Sequence, residues 1–341
     1  VVQHLRNGQL LHKAYRRHSF PPADWTPRQV WLETTGKSRT LQSGLAFLYG
    51  LLPDFDWTKL NVRHQWSTLF CGSACDCPAR NRHLEEEQRR QYRLRVSDTQ
   101  LERTYADMAR TLGLLTRQLR AANPIDSLLC HLCHGISFPC VPMGDGTYGC
   151  LTMAQFAVIR RQQLDDEVDR RRVGLYHKYA ILAMYPYLNR TATKMERVAK
   201  DNEAGRARRA GGEEVFSLSS AHDVTVAPLL SALGLEEARF PRFAARLVFE
   251  LWKSPPAAQG QQKKKAGKGD KSKVKDGEVF IRVLYNGEDV TYHTSFCRSH
   301  VTRNTNQPLC PLKNFLSFVR RDMFSVVNAT SYQEACSKRP V

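Results

Sequence analysis

The stretch VWLETTGKSRTLQSGLAFLYG (residues 30–50) contains a β-favouring run, a turn and an apolar helix pattern, in that order. Val30–Thr34 predicts a short strand, residues 35–38 predict a turn, and Arg39–Tyr49 predicts a helix because its apolar residues recur at helical spacing. A strand–turn–helix unit puts its turn at the carboxyl edge of a parallel sheet, where α/β proteins bind ligands. The stretch therefore predicts an α/β fold with a candidate site around Arg39.

Arg39 lies at the start of the predicted helix, where unsatisfied backbone N–H groups and the helix dipole favour anions. Its guanidinium can hold a phosphate through two parallel hydrogen bonds. A surface arginine beside an ordinary helix cap is the alternative. The chemistry of this one residue leaves both interpretations open.

A second unit of the same kind is VFSLSSAHDVTVAPLLSALG (residues 215–234), with a strand at Val215–Ser219 and a helix at Val224–Leu235. His222 and Asp223 lie between them, at the edge predicted for Arg39. His222 can hydrogen-bond a phosphate and Asp223 can protonate a leaving alcohol. Equally, Asp223 can cap the helix by accepting backbone N–H bonds.

The rest of the chain divides into sheet-forming and helical parts. Residues 83–120 and 151–200 carry apolar side chains at helical intervals among many charges. We therefore predict an α/β core formed by residues 1–80 and 211–341, and a disulfide-bonded helical insertion over residues 81–210.

Further elements are expected in the two segments of the core. Phe243–Trp252 and Val279–Tyr285 alternate like the strands of a hairpin, and Phe315–Phe324 is typical of an amphipathic helix. Val1–Tyr15 has a helical pattern from its first residue. We expect an upstream segment to be missing, and any signal peptide or anchor to lie there.

The composition favours anionic partners. The formal charge is +18, and Lys263–Lys275 contains seven lysines, typical of a solvated loop or of a docking patch for anionic glycan chains. Glutamates accompany the arginines of Arg80–Arg95 at helical spacing, which indicates a solvated helix face rather than nucleic-acid binding. No apolar run of about 20 residues is present, so no membrane-spanning helix is predicted.

An even number of cysteines predicts disulfide bonds. The ten cysteines are Cys71, Cys75, Cys77, Cys130, Cys133, Cys140, Cys150, Cys297, Cys310 and Cys336. Glycosylation sequons at Asn189 and Asn328 also indicate an oxidising compartment. Local bridges within residues 71–77 and 130–150, and a Cys297–Cys310 bridge, are plausible pairings.

Two other uses of these residues are weaker alternatives. A zinc site could draw four ligands from Cys71, Cys75, Cys77, Cys130, Cys133 and His134. The C-x-x-C-H pattern of residues 130–134 also matches haem attachment, but it stands alone. We expect neither a metal nor a cofactor. The five tryptophans are more typical of packing than of sugar stacking: Trp25, Trp31, Trp57, Trp66 and Trp252.

Two motifs carry a resemblance to a known family. SAHDVTVAPLLSALG (residues 220–234) resembles the C-terminal signature of the histidine acid phosphatases, which is close to S-x-H-D-x-T-[LI]-x-x-L-L-x-A-L-G. KSRTLQSGLAFLYG (residues 37–50) resembles their phosphate-binding arginine segment, and residues 243–252 and 281–290 resemble their closing strands. The resemblance implies a phosphoglycerate-mutase-like sheet flanked by helices, with a helical cap inserted.

The resemblance also implies a mechanism. A histidine in an R-H-G-x-R-x-P segment attacks phosphorus to form a phosphohistidine, Asp223 donates a proton to the leaving oxygen, and Arg39 and His222 bind the phosphate. No R-H-G-x-R-x-P segment occurs in the 341 residues. The glycine and second arginine are missing from three Arg-His pairs: Arg17-His18, Arg63-His64 and Arg82-His83. The chain is therefore expected to bind phosphate without hydrolysing its esters.

Four longer runs are similar to family members that remove the 2-phosphate of xylose in the glycosaminoglycan–protein linkage region. These runs occupy residues 32–44, 52–57, 120–134 and 238–252. The resemblance implies a phosphomonoesterase on the lumenal side of the Golgi membrane, with an anchor outside this chain. A non-catalytic glycan- or phosphate-binding secretory protein is the alternative.

Overall fold

The computed structural model describes residues 1–18, 20–21, 26–64, 76–203, 215–235, 240–253, 278–298 and 310–338. The lysine-rich stretch Lys263–Lys275 and the cysteines Cys71 and Cys75 lie outside these ranges. The helices and strands are α1 (Val2–Tyr15), β1 (Val30–Thr34), α2 (Ser38–Leu51), β2 (Asn61–His64), α3 (Pro78–Ser97), α4 (Thr99–Thr111), α5 (Thr116–Ala121), α6 (Pro124–His134), β3 (Cys140–Pro142), β4 (Tyr148–Cys150), α7 (Met153–Val173), α8 (Leu175–Glu203), β5 (Phe216–Ser220), α9 (Asp223–Ala232), β6 (Leu247–Lys253), β7 (Val279–Tyr285), β8 (Glu288–Asp289), β9 (Cys310–Pro311), α10 (Leu312–Arg320) and α11 (Tyr332–Ser337).

The chain forms two compact units. The first contains Val1–Arg80 and His177–Val341, and the second contains Asn81–Tyr176. The sequence interpretation extended the insertion to residue 210, whereas His177 already belongs to the first unit. The reason is that buried apolar side chains of α8, such as Leu182, share a core with Phe315 of α10.

The parallel sheet of the first unit has the strand order β2-β1-β5. Leu32 of β1 is fully buried, and it shares a hydrophobic cluster with Phe47 of α2. Glu33 points to the opposite face, where it accepts a hydrogen bond of 2.6 Å from Arg190 of α8. Because adjacent side chains of a strand face opposite ways, β1 is covered by a helix on each face.

Helices α1 and α2 approach each other closely at two glycines. A Cβ atom on Gly8 would lie 2.0 Å from the carbonyl oxygen of Phe47, and one on Gly50 would lie 2.2 Å from that of Leu5. Glycine at both positions therefore allows backbone to pack against backbone.

A second, antiparallel sheet confirms the predicted hairpin. Strands β6 and β7 pair with Leu247 opposite Tyr285, and β8 and β9 also pair with β7. Helix α10 follows β9 and ends at Arg320, earlier than the predicted Phe324. The backbone of Arg321 (φ −143°, ψ −57°) leaves the helix, and a 3₁₀ segment, Asp322–Val327, follows.

The second unit has an apolar core and a charged interface between helices. Its buried core contains Leu101, Met108, Leu128 and Ile159. Between α3 and α7, ion pairs join Arg90 to Asp169 and Arg95 to Asp166, and one partner of each pair is largely buried.

The interpretation of Arg80–Arg95 as a solvated face was wrong for this interface. Glu87 is only 1% exposed and accepts two hydrogen bonds from Arg90, each 2.9 Å long. Arg90 also pairs with Asp169 of α7 at 2.5 Å. The arginines of α3 therefore serve helix packing as well as solvation.

The disulfides agree in part with the predicted pairings. Cys297–Cys310 is confirmed, and Cys140–Cys150 is the local bridge in the 130–150 region. Cys77 bonds to Cys336 and so takes no part in a local bridge within residues 71–77, whose other cysteines lie outside the described residues. Sequence spacing carries no signal for such a distant partner. Cys130 and Cys133 are exposed free thiols of α6.

Two tryptophans pack against neighbouring side chains. The ring of Trp57 lies 5.2 Å from that of Phe55, and Trp252 donates a 2.8 Å hydrogen bond to Glu250. These contacts agree with the packing interpretation for Trp57 and Trp252. Among the described helices, none is both long and apolar enough to span a lipid bilayer.

Candidate active site

The carboxyl ends of β1 and β5 bring the two predicted site segments together. The strands are parallel and adjacent, with Thr34 opposite Ser220. The Thr35 backbone N–H donates a 3.3 Å hydrogen bond to the carbonyl of Ser220, which extends this pairing by one residue. The chain then enters α2 from one strand and α9 from the other, so both helices begin at the same edge.

Arg39 and His222 meet at this edge. Arg39 is the second residue of α2, and His222 is the N-cap residue of α9. The Nη2 atom of Arg39 lies 3.4 Å from Nδ1 of His222. Because α2 and α9 also direct their N-terminal N–H groups toward this edge, the local electrostatics favour an anion.

Asp223 is the first residue of α9 and is exposed. Its carboxylate accepts a 2.9 Å hydrogen bond from the backbone N–H of Val224. This bond is the capping interaction that the sequence allowed, and it leaves the second carboxylate oxygen available for another partner. The structure thus keeps both the capping role and the proton-donating role open.

The pKa of His222 is lowered from its ordinary value of 6.5. Burial is the largest cause, the positive charge of Arg39 is the next, and Lys37 adds to it; the carboxylate of Asp223 acts in the opposite direction. The imidazole is therefore neutral at neutral pH in the absence of an anion. A bound anion would offset the two neighbouring positive charges and favour the imidazolium.

Thr35 and Thr40 are site residues that the sequence interpretation did not select. The hydroxyl of Thr35 lies 2.9 Å from Nε2 of His222 and 2.8 Å from the hydroxyl of Thr40. Ser220 donates a 2.7 Å hydrogen bond to the backbone carbonyl of Thr40. Their signal in the sequence is weak because threonines are common in turns and helix caps.

Other sequence candidates lie in different surroundings. The His18 ring packs edge-on against Trp252 at 5.0 Å, and His83 lies 3.8 Å from Glu86 in α3. Within the described ranges, no group of three or more His, Cys, Asp or Glu side chains is arranged to hold a metal ion. Cys77, one of the proposed zinc ligands, is in a disulfide.

The two sequons differ in accessibility. Asn328 is exposed, with a left-handed backbone (φ 53°) at the end of a 3₁₀ segment. Asn189 is half-buried inside α8, where its carbonyl accepts a hydrogen bond from Thr193. An oligosaccharide can therefore be accommodated more readily at Asn328.

Comparison with known proteins identifies the family of this chain. Residues 1–286 match the family model described as histidine phosphatase superfamily (branch 2). The chain belongs to this family, and the α/β fold predicted from the sequence is confirmed.

Several relatives of the chain share one name. The chain is 61% identical to 2-phosphoxylose phosphatase 1 of Danio rerio over 98% of its length, and 51% identical to the Homo sapiens protein of that name over 99%. It spans 65% and 64% of the length of these two curated relatives.

A solved Hafnia alvei phytase in complex with tartrate has 16% identity and a TM-score of 0.42, with 93% of this chain and 85% of that chain covered. That structural similarity is too low to support any inference about the site.

Proposed function

We propose that this chain supplies the phosphate-binding and proton-donating groups of a phosphomonoester hydrolase. The observation that carries the proposal is the 3.4 Å approach of Arg39 to His222 at the ends of adjacent parallel strands. A guanidinium and an imidazole that converge beside two helix N-termini can bind the oxygens of one phosphate.

In the proposed mechanism, Arg39 and His222 stabilise the negative charge that the phosphoryl oxygens carry in the transition state. A histidine nitrogen attacks phosphorus while the bond from phosphorus to the sugar oxygen breaks. Asp223 gives its proton to that oxygen, and water later hydrolyses the phosphohistidine. The R-H-G-x-R-x-P segment that would provide the attacking histidine is absent from the 341 residues, so we infer that they bind the ester without cleaving it.

The proposed substrate is xylose 2-phosphate in the glycosaminoglycan–protein linkage region. The shared name of the relatives supports this choice, and the charge of +18 suits an anionic glycan near the site.

Disulfides and an exposed sequon at Asn328 support a lumenal location, which we propose to be the Golgi. Lys263–Lys275, outside the described residues, is proposed to hold glycan chains. If its deletion leaves retention on immobilised heparin unchanged, that role is excluded.

Calorimetric titration with xylose 2-phosphate tests the proposed site directly. We expect binding of the phosphorylated sugar and none of xylose, and we expect Arg39→Ala and His222→Asn to weaken binding about tenfold or more. Arg103→Ala is a matched control because Arg103 is exposed on α4. Equal binding by the Arg39 variant and the parent protein would refute the phosphate site.

The role of Asp223 requires protein that includes the attacking histidine. Asp223→Asn should slow hydrolysis of a sugar phosphate much more than hydrolysis of p-nitrophenyl phosphate, whose leaving group needs no proton. If both substrates are slowed equally, Asp223 is not the proton donor.

A non-catalytic phosphate- or glycan-binding secretory protein is the second candidate, because the approach of Arg39 to His222 supports anion binding whether or not an attacking histidine is present. Both candidates predict binding at Arg39. They differ when the natural protein is tested for turnover: hydrolysis of xylose 2-phosphate supports the enzyme, and binding without hydrolysis supports the second candidate.

A further inference from the structure

A chain of hydroxyl groups lies behind His222, on the side away from Arg39. Nε2 of His222 lies 2.9 Å from the Thr35 hydroxyl, which lies 2.8 Å from the Thr40 hydroxyl. The Thr40 hydroxyl in turn donates a 2.7 Å hydrogen bond to the backbone carbonyl of Lys37. Thr35 and Thr40 are 6% and 3% exposed, so water has little access to these groups.

The two backbone carbonyls beside the Thr40 hydroxyl favour one direction for the hydrogen bonds in this chain. A carbonyl oxygen can only accept, so the single hydroxyl proton of Thr40 points to the carbonyl of Lys37, at 2.7 Å, or to that of Thr35, at 3.1 Å. Thr40 must then accept from Thr35, and Thr35, whose proton is also used, must accept from His222. The ring proton of neutral His222 therefore lies on Nε2.

The contact on the other side of the ring favours the same tautomer. The guanidinium of Arg39 has only donors, and its Nη2 atom faces Nδ1 of His222 at 3.4 Å. A proton on Nδ1 would point at these donors, whereas a lone pair there can accept from them. This contact is longer than the 2.9 Å contact with Thr35, so it favours the same tautomer but does not fix it alone.

We propose that Thr35, supported by Thr40, is a positioning residue that fixes His222 with its proton on Nε2 and directs Nδ1 toward an anion beside Arg39. The anion-binding part of this inference rests on the proposed function; the tautomer does not. When an anion binds and His222 gains a second proton, Nδ1–H becomes a donor to the anion while Nε2–H keeps its bond to Thr35.

The charged groups around the ring agree with this sequence of events. Arg39 of α2 and Lys37, the N-cap residue of that helix, act on His222 as positive charges, and Asp223 follows it in α9. In the absence of an anion, burial and the two cations lower the pKa of His222 despite the carboxylate. A divalent anion between these cations would reverse the electrostatic part of that effect.

The test combines isosteric and conservative variants. Thr35→Val and Thr40→Val remove a hydroxyl but keep the shape, whereas Thr35→Ser and Thr40→Ser keep the hydroxyl. Thr104→Val is the matched control, because Thr104 also donates to a carbonyl of its own helix, that of Gln100, but lies in the second unit. The tautomer is measured by ¹H–¹⁵N correlation NMR of the histidine-labelled 341-residue protein, with the His222 signals assigned from His222→Asn.

We expect one neutral tautomer of His222 in the parent protein, with the proton on Nε2. Thr35→Val should give a mixture of tautomers, a lower pKa for His222 and sulfate binding weakened by about three- to tenfold, the effect of one net hydrogen bond. Thr40→Val should act in the same direction with a smaller effect. Both serine variants should restore the parent behaviour, and Thr104→Val should not change it.

A proton on Nδ1 in the parent protein would overturn the proposal. It would also be overturned if Thr35→Val left the tautomer unchanged, or if Thr35→Ser failed to restore what Thr35→Val loses. If the protein does not bind sulfate at all, the proposed function fails, but the tautomer and pKa measurements still test the role of Thr35.

Discussion

At the scale of single residues, the protonation of His222 should control anion binding. Its pKa in the folded protein is below 6.5 because of burial, Arg39 and Lys37. The neutral ring has no proton on Nδ1 to give to an anion, whereas the imidazolium has one. Sulfate is a suitable probe because its own charge is constant between pH 5 and 8.

We predict that sulfate affinity rises as the pH falls through the pKa of His222, by up to about tenfold per pH unit for one linked proton. His222→Asn should remove this dependence, and the exposed His134→Asn should retain it. Isothermal titration calorimetry across the pH range measures both. A parent protein whose sulfate affinity is independent of pH would show that His222 does not gain a proton on binding.

The lowered pKa of His222 also makes the stability of the anion-free protein depend on pH. Because the folded-state pKa is lowered, the unfolded chain takes up this proton more readily than the folded protein does. The contribution of neutral His222 to stability is complete above pH 6.5 and is lost as the pH falls through the folded-state pKa. Anion binding opposes this loss.

At the scale of secondary structure, the contact between α1 and α2 depends on two glycines. A Cβ atom at Gly8 would collide with backbone of α2, which cannot rotate away as a side chain can. We predict that Gly8→Ala and Gly50→Ala each lower the free energy of unfolding by about 3 kcal/mol, near the upper end of overpacking effects. Urea denaturation followed by circular dichroism measures the loss.

Gly144→Ala is the control for these variants, since nothing lies within 4 Å of the added methyl group and its backbone is unstrained. We expect a change within about 0.5 kcal/mol there. Gly8→Ala with the stability of the control would mean that α1 can move away from α2 at little cost.

The ion pairs of α3 should contribute unequally to the stability of the second unit, according to how deeply each pair is buried. Glu87 is 1% exposed and is bonded to Arg90 and Gln91, so its removal leaves a mostly buried arginine without one carboxylate. We predict that Glu87→Ala destabilises the second unit by about 3 kcal/mol. Glu85→Ala, which breaks an exposed pair with Arg89, should cost about 0.5 kcal/mol or less.

Both losses are measured by urea denaturation with circular dichroism. Similar losses for the Glu87 and Glu85 variants would contradict the prediction, because burial is the property that separates the two carboxylates.

The features predicted correctly from the sequence are those that depend on residues close together in the chain. The strand–turn–helix units around Arg39 and His222, and the hairpin of β6 and β7, were predicted because strand periodicity and turn residues are local signals. The Glu87 interface was misinterpreted because glutamate and arginine at helical spacing are equally typical of an exposed face. The hydroxyl chain through Thr35 and Thr40 was missed because its meaning depends on the distant His222.

At the scale of the whole molecule, the predicted boundary of the insertion after α8 shows the same limit of local sequence patterns. The apolar residues of α8 have the helical spacing of an insertion, but Ile181 and Leu182 are buried in the core of the first unit. A periodic pattern indicates which face of a helix is apolar. It does not indicate which core the face joins.

Cys77–Cys336 is another whole-molecule feature, and it should stabilise the fold more than a local bridge does. Its cysteines are 259 residues apart, against 10 for Cys140–Cys150. By the loop-entropy relation, closing these loops is worth about 5 to 6 kcal/mol and about 3 kcal/mol. We therefore predict that Cys77→Ala/Cys336→Ala lowers the free energy of unfolding about twice as much as Cys140→Ala/Cys150→Ala. Urea denaturation of both double variants tests this, and equal losses would show that loop length does not govern the contribution of these bonds.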